Sequence, residues 1–179
     1  MPMNMTVRRI TKDAVMLALL CLVGMFSVPL GANIKVSLQL LIVFLICLTA
    51  DTFYDPMIIT GLYLALGMVA PIYAGFSVGV TPTFGYVISF VVLSPAVYFL
   101  NKIPKIPAVV RMSIACVGGL IICYTIGTLF MMFYLSWDLG KTLLVSVVPY
   151  IPFDIAKIVV VILIMLILPP SVYIREEQH

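Results

Sequence analysis

Charge is scarce in this sequence. Only 9% of its 179 residues are Asp, Glu, Lys or Arg, against about 25% in a soluble domain. A water-facing surface cannot be built from so few, and the mean hydropathy of +1.25 says the same. Histidine is rarer still, since the single one, His179, is the last residue. That excludes an internal histidine base, a Ser/His or Cys/His couple and a buried histidine metal site. The four cysteines, Cys21, Cys47, Cys116 and Cys123, all fall inside apolar runs and form no C-x-x-C, which leaves them as small apolar fillers. The chain has no G-x-x-x-x-G-K-[ST], so it carries no nucleotide hydrolysis of its own. No long basic tract or RNA-binding motif points to nucleic acid.

What the sequence has in abundance is apolar length. Six stretches approach the roughly 17–25 residues that a spanning helix needs. They lie near 12–28, 36–51, 56–72, 82–100, 109–135 and 152–168, and they predict one all-α membrane domain over residues 1–179. Arg8-Arg9 before the first run faintly resembles a secretory leader, but no A-x-A site follows, so the first span is expected to stay. Thr81 is expected to cap the fourth helix, with Pro82 at its first position. The fifth stretch is long enough to tilt or break near Gly118-Gly119. Thr142 to Val148 reads as an interfacial approach to the sixth span.

Basic residues set the expected orientation. With six spans, Arg8, Arg9, Lys12, Lys102, Lys105, Arg111 and Arg175 share one side, and the other keeps only Lys35 and Lys141. Both termini are therefore expected in the cytoplasm. Asp51 and Asp55, spaced i and i+4, form the best case for a carboxylate pair and hence for an intramembrane enzyme. At the inner interface beside Thr52 and Tyr54 they read instead as a solvated turn.

Two segments carry chemistry. Asp154 and Lys157 lie three apart in the first two turns of the last span, which Pro152 opens, so they share a helix face. Charges at membrane depth cost about 2.5–3.5 kcal/mol each on insertion scales, so they face each other or a cavity. The pair is either a structural tie or two poles of a pocket for a small polar ligand. The second segment runs from Ala70 to Tyr86 and places glycines, Phe76, Ser77 and a helix start in one outward stretch. Free N–H groups at a helix N-terminus suit a ligand carboxylate or carbonyl, although a plain turn accounts for the segment as well.

Several motifs recur in order along the chain. They are Ala14-Val15-Met16-Leu17-Ala18, Val36-Ser37-Leu38-Gln39-Leu40-Leu41, and Tyr63-Leu64-Ala65-Leu66-Gly67 leading to Pro71 and Ala74-Gly75. Pro82-Thr83-Phe84-Gly85-Tyr86 and Pro152-Phe153-Asp154-Ile155-Ala156-Lys157 complete the set. With six spans, the chain resembles the substrate-binding S components of energy-coupling-factor (ECF) transporters, and among them the biotin-specific BioY family. The resemblance implies biotin as ligand, with its ring system held by Asp154 and Lys157. It implies Phe76, Phe84 and Tyr86 as aromatic packing, and Ser77 where the family has a loop asparagine. The loop is shorter than in the family, and Val87 stands where an arginine can follow the Gly-Tyr. Lys35 or the start of the fourth helix is left to meet the ligand carboxylate.

The resemblance further implies Ala14 and Ala18 as the face that meets the transmembrane coupling (T) subunit, two ATPase subunits that consume the ATP, and a place in the plasma membrane. No cofactor is expected on this chain. An S component for another vitamin, or a non-transport intramembrane scaffold with Asp154 and Lys157 as a tie, are the alternatives.

Overall fold

The structure is a computed structural model and describes residues 5–29 and 35–168. Seven helices and a two-stranded ribbon follow in order: α1 Met5–Met25, β1 Ser27–Pro29, β2 Lys35–Ser37, α2 Gln39–Thr49, α3 Tyr54–Gly67, α4 Phe84–Leu100, α5 Ala108–Leu135, α6 Leu139–Ser146 and α7 Ile151–Ile167. The side chain of Lys35, and Arg175 and His179, lie outside what is described.

The helices close into a ring. α1 packs on α3, α3 on α4, α4 on α5, α5 on α7, α7 on α2, and α2 back on α1, while α2 also reaches across to α4. This explains the composition of α2, whose run QLLIVFLICLT is apolar on every side. Nine of its eleven residues are buried, as a helix enclosed on all faces requires. The described interior places polar groups among an apolar core, and the outside is apolar. Gln39, Asp55, Thr60, Ser89, Ser94, Thr128, Asp154 and Lys157 are buried, whereas Leu62, Leu66, Val92, Phe99, Ile121, Phe133, Leu144 and Leu163 are exposed. Lipid solvates such a surface and leaves the polar groups to find partners in the bundle.

Element ends differ from the sequence expectation in instructive ways. α2 and α3 stop short, and at about 1.5 Å per residue the eleven residues of α2 cover about 17 Å. Among the described residues, α5 alone qualifies as a span by length and composition, and α6 with α7 qualifies jointly across a 49° bend. The expected cap Thr81 is not the cap. α4 starts at Phe84 after Thr83, and Thr81 instead closes a turn in which its carbonyl accepts from the Phe84 N–H at 2.9 Å. Nor does α5 break at its glycines. Gly119 gives up its side chain so that Val97 of α4 and Phe44 of α2 can press against the helix, which runs on for 28 residues.

Asp51 and Asp55 are corrected more sharply. The turn is only partly solvated: Asp51 keeps some exposure, but Asp55 is 2% exposed and ion-paired to Arg9, which also donates to Thr52 Oγ1 at 2.7 Å. Lys12 bridges Asp51 Oδ2 at 2.7 Å and the Thr49 carbonyl at 2.9 Å. The Tyr98 hydroxyl donates to the Asp51 carbonyl at 3.2 Å, and Lys102 lies over the Tyr98 ring. One end of the molecule thus gathers basic residues from α1 and the α4–α5 turn around the α2–α3 turn.

Candidate functional site

The opposite end holds Asp154 and Lys157. Pro152 lies in the first turn of α7, where a missing N–H costs nothing, and the helix then buries one stripe: Asp154, Lys157, Ile158, Val161 and Met165. The spacing i, i+3, i+4, i+7 is that of one helix face, so the two charges enter the bundle with the apolar residues below them. Lys157 Nζ donates to Asp154 Oδ1 at 2.6 Å, and the two side chains are 9% and 6% exposed. Tyr124 of α5 donates its hydroxyl to Asp154 Oδ2 at 2.5 Å. Lys157 has three N–H donors and Asp154 about four lone-pair sites, so each keeps capacity for a ligand after these bonds.

Polar groups on α4, α5 and α6 are linked to one another beside Tyr124. Ser89 of α4 donates to Cys123 Sγ of α5 at 3.2 Å, one residue before Tyr124. Tyr86 lies flat on Gly127 of α5, where a side chain would displace its ring, and its hydroxyl donates to the Ser146 carbonyl at the end of α6 at 3.2 Å. α6 is inside out: Thr142 and Ser146 face inward, while Leu139, Leu143, Leu144 and Val145 are exposed. Phe84, at the head of α4, packs between Tyr73 and Phe130 with ring centroids 6.1 and 5.9 Å away. Asp154, Lys157, Tyr86 and Phe84 therefore share one end of the bundle.

Phe76 and Ser77 occupy a separate turn of the α3–α4 loop. Phe76 takes a left-handed conformation (φ 58°), and its exposed ring meets Phe26 edge-on at 6.1 Å. Ser77 donates to the Ala74 carbonyl at 3.1 Å, and the Gly75 N–H ties the turn to the Met25 carbonyl at 3.0 Å. Among the described residues no hydrogen bond links Ser77 to Asp154 or Lys157. Beneath this loop Ser37 donates to Gln39 Oε1 at 3.1 Å, Gln39 Nε2 to the Tyr63 hydroxyl at 2.5 Å, and Tyr63 to the Ile72 carbonyl at 2.9 Å. The glutamine that opens α2 thus anchors the loop. Burial pushes the Tyr73 phenol up to about 12, so it remains a donor to the Leu64 carbonyl at 2.6 Å.

Sequence reasoning missed Tyr124. Nothing along the chain sets Tyr124 apart, because it is one of nine tyrosines and its partner is thirty residues away. Ala14 and Ala18 are exposed on the outer side of α1, next to the exposed Val15 and Leu19.

Comparison with known proteins fits this architecture. The biotin transporter BioY of Thermotoga maritima is 30% identical over 163 residues, covering 89% of this chain and 94% of the relative. The crystal structure of the S component for biotin from an ECF-type ABC transporter superposes with a TM-score of 0.81 at 22% identity, covering 98% of this chain and all of the other. A family model for BioY matches residues 1–173, and the chain belongs to the BioY family.

Proposed function

We infer that this protein is the substrate-binding subunit of an ECF-type transporter, capturing biotin outside the cell and releasing it inward with an ATP-driven module. The observation that carries the reading is the buried Asp154–Lys157 pair held by Tyr124, in a family whose relatives include a biotin transporter. A cyclic urea has two N–H donors and one carbonyl. The donors suit the Asp154 carboxylate and the carbonyl suits the Lys157 ammonium. Phe84 and Tyr86 offer apolar faces for the fused rings, and Phe76 and Ser77 are proposed to join from the loop when ligand binds. No catalytic chemistry is assigned to any residue.

Six bundle crossings at about residues 12–28, 36–51, 56–72, 82–100, 109–135 and 152–168 remain the proposed spans, with α6 as the lead-in to the last. The plasma membrane is the proposed location, with the Arg9, Lys12 and Lys102 end inside. A T subunit on the Ala14–Ala18 face and two ATPase subunits are the proposed partners. The pair also closes on itself, which favours a purely structural tie as the second reading.

Isothermal titration of the purified protein with biotin separates the two. Asp154→Asn and Lys157→Met each weaken binding at least about tenfold, the scale of one charged hydrogen bond. Unchanged affinity in both variants reduces the pair to a tie, and no binding by the wild type removes biotin as the ligand.

A further inference from the structure

At the end of the bundle away from Asp154, the cations fall into two groups. Arg9 and Lys12 are taken up by Asp55 and Asp51. Between Asp55 and Asp138 the sequence holds the cations Lys102, Lys105 and Arg111 and no Asp or Glu. Lys102 and Lys105 are exposed, and Lys102 lies 4.8 Å over the Tyr98 ring. Lys105 and Arg111 enter no ion pair among the described residues. Arg111 is half-buried, and its Nε has no hydrogen-bond partner there. The chain reverses between α4, which ends at Leu100, and α5, which starts at Ala108. The two helices pack on each other, so the three cations share one end of the pair.

The surface next to this turn is aromatic and apolar. Phe99, 57% exposed, meets Phe53 with ring centroids 5.5 Å apart, and Phe53 lies 3.7 Å from the ring of Tyr54, 56% exposed. Val109, Val110 and Ile114, in the first two turns of α5, are exposed as well. Aromatic rings gather where the hydrocarbon of a bilayer meets its headgroups, and Lys and Arg at that level extend their charge outward along an apolar stem. The ring cluster therefore places the α4–α5 turn at headgroup depth.

A counter-charge for these cations has to come from outside the stretch, and it has to suit an apolar neighbourhood. A soluble anion meets only the charged half of this surface. A phospholipid meets both halves, with its phosphate on the cations and its acyl chains on Phe99, Val110 and Ile114. Arginine offers phosphate a fork of N–H donors, and each lysine adds a point charge. A zwitterionic headgroup carries an ammonium that offsets its own phosphate, so three cations favour a lipid with net negative charge. We propose that Lys102, Lys105 and Arg111 form a binding site for the headgroup of an anionic phospholipid, seated against the exposed rings of Phe99 and Tyr54. The site lies at the other end of the bundle from Asp154 and Lys157 and does not depend on which ligand they hold.

The test is native mass spectrometry of the full chain in detergent, titrated with phosphatidylglycerol or with phosphatidylcholine of the same acyl chains. The wild type holds phosphatidylglycerol at least about twentyfold more tightly. Lys105→Gln lowers that preference about fivefold, the effect of one cation at an anionic surface. Lys102→Gln, Lys105→Gln and Arg111→Gln combined abolish it. Lys141→Gln, at the other end of the bundle, keeps it, and an excess of glycerol phosphate leaves the bound lipid in place. Equal affinity of the wild type for both lipids overturns the site, and so does an equal loss in Lys141→Gln, which makes the effect one of diffuse charge. Release of the lipid by glycerol phosphate makes the turn a free-phosphate site and overturns the lipid assignment. An unchanged lipid preference in the triple variant, with loss of co-purifying partner subunits, makes the turn a protein interface and overturns it as well. If the triple variant does not fold, Lys105→Gln decides alone, because Lys105 is exposed and without an ion partner among the described residues.

Discussion

At the scale of single residues, burial of both partners separates the Asp154–Lys157 pair from Arg9–Asp55, in which Asp55 is buried and Arg9 partly exposed. Asp154 and Lys157 are each at least nine-tenths buried, and each has the other as its ion partner. Removing one member of such a pair strands the other in a low-dielectric interior, which is costlier than removing both. Tyr124 acts through Asp154 and is a positioning residue. Its hydroxyl fixes Oδ2, so the carboxylate meets the ligand already oriented. Tyr124→Phe is expected to lower biotin affinity about three- to tenfold, one hydrogen bond to a charged group. Combined with Asp154→Asn it should add little, because contacting residues are not additive. A double-mutant cycle by calorimetry checks this, and full additivity would separate Tyr124 from Asp154.

At the scale of elements, α1 has two tasks on two faces. Its inner face is clamped to the α2–α3 turn by Arg9 on Asp55 and Lys12 on Asp51. Asp55→Ala removes the ion partner of the Arg9 guanidinium beside Thr52, and is expected to cost about 1–3 kcal/mol, a figure kept low because Arg9 is partly solvated. Thermal unfolding in detergent measures it, and an unchanged midpoint would make the clamp dispensable. The outer face carries Ala14 and Ala18, four apart and exposed. Small residues at that spacing let another helix approach closely. Ala14→Trp or Ala18→Trp is expected to abolish biotin uptake and co-purification of a coupling subunit while the solitary protein still binds biotin. Loss of ligand binding together with assembly would place the alanines in a structural role instead.

At the scale of the whole molecule, the two ends differ in kind. One collects Arg9, Lys12, Asp51, Asp55 and Lys102 in ion pairs and a cation–π contact. The other collects the α3–α4 loop, the head of α4, α6 and the start of α7, with a charge pair sunk below them. Excess Lys and Arg on short loops face the cytoplasm, so the second end is expected outside. Single cysteines at Asn101 and Ser77 on a cysteine-free background test this in intact cells. An impermeant thiol reagent should label Ser77 and spare Asn101, and the reverse pattern would invert the orientation.

The sequence by itself determined the class and the two poles. Scarce charge and long apolar runs demand a lipid-solvated helical bundle, and the Asp154-x-x-Lys157 spacing puts both groups on one face of the helix whatever surrounds it. Gln39 at the head of α2 was legible too, as part of a motif. Which neighbours complete the site was not, because those contacts join residues far apart in the chain. Tyr124 reaches Asp154 across thirty positions, and Tyr86 reaches Ser146 across sixty. Periodicity fixes which way a side chain leaves its own helix and carries no information on the helix it meets. The Arg9–Asp55 pair was hidden for the same reason, since a carboxylate in a polar turn reads as solvated until another helix arrives to cover it. Only the packing of α1 on α3, and of α5 on α4 and α7, decided that these polar groups are buried and paired.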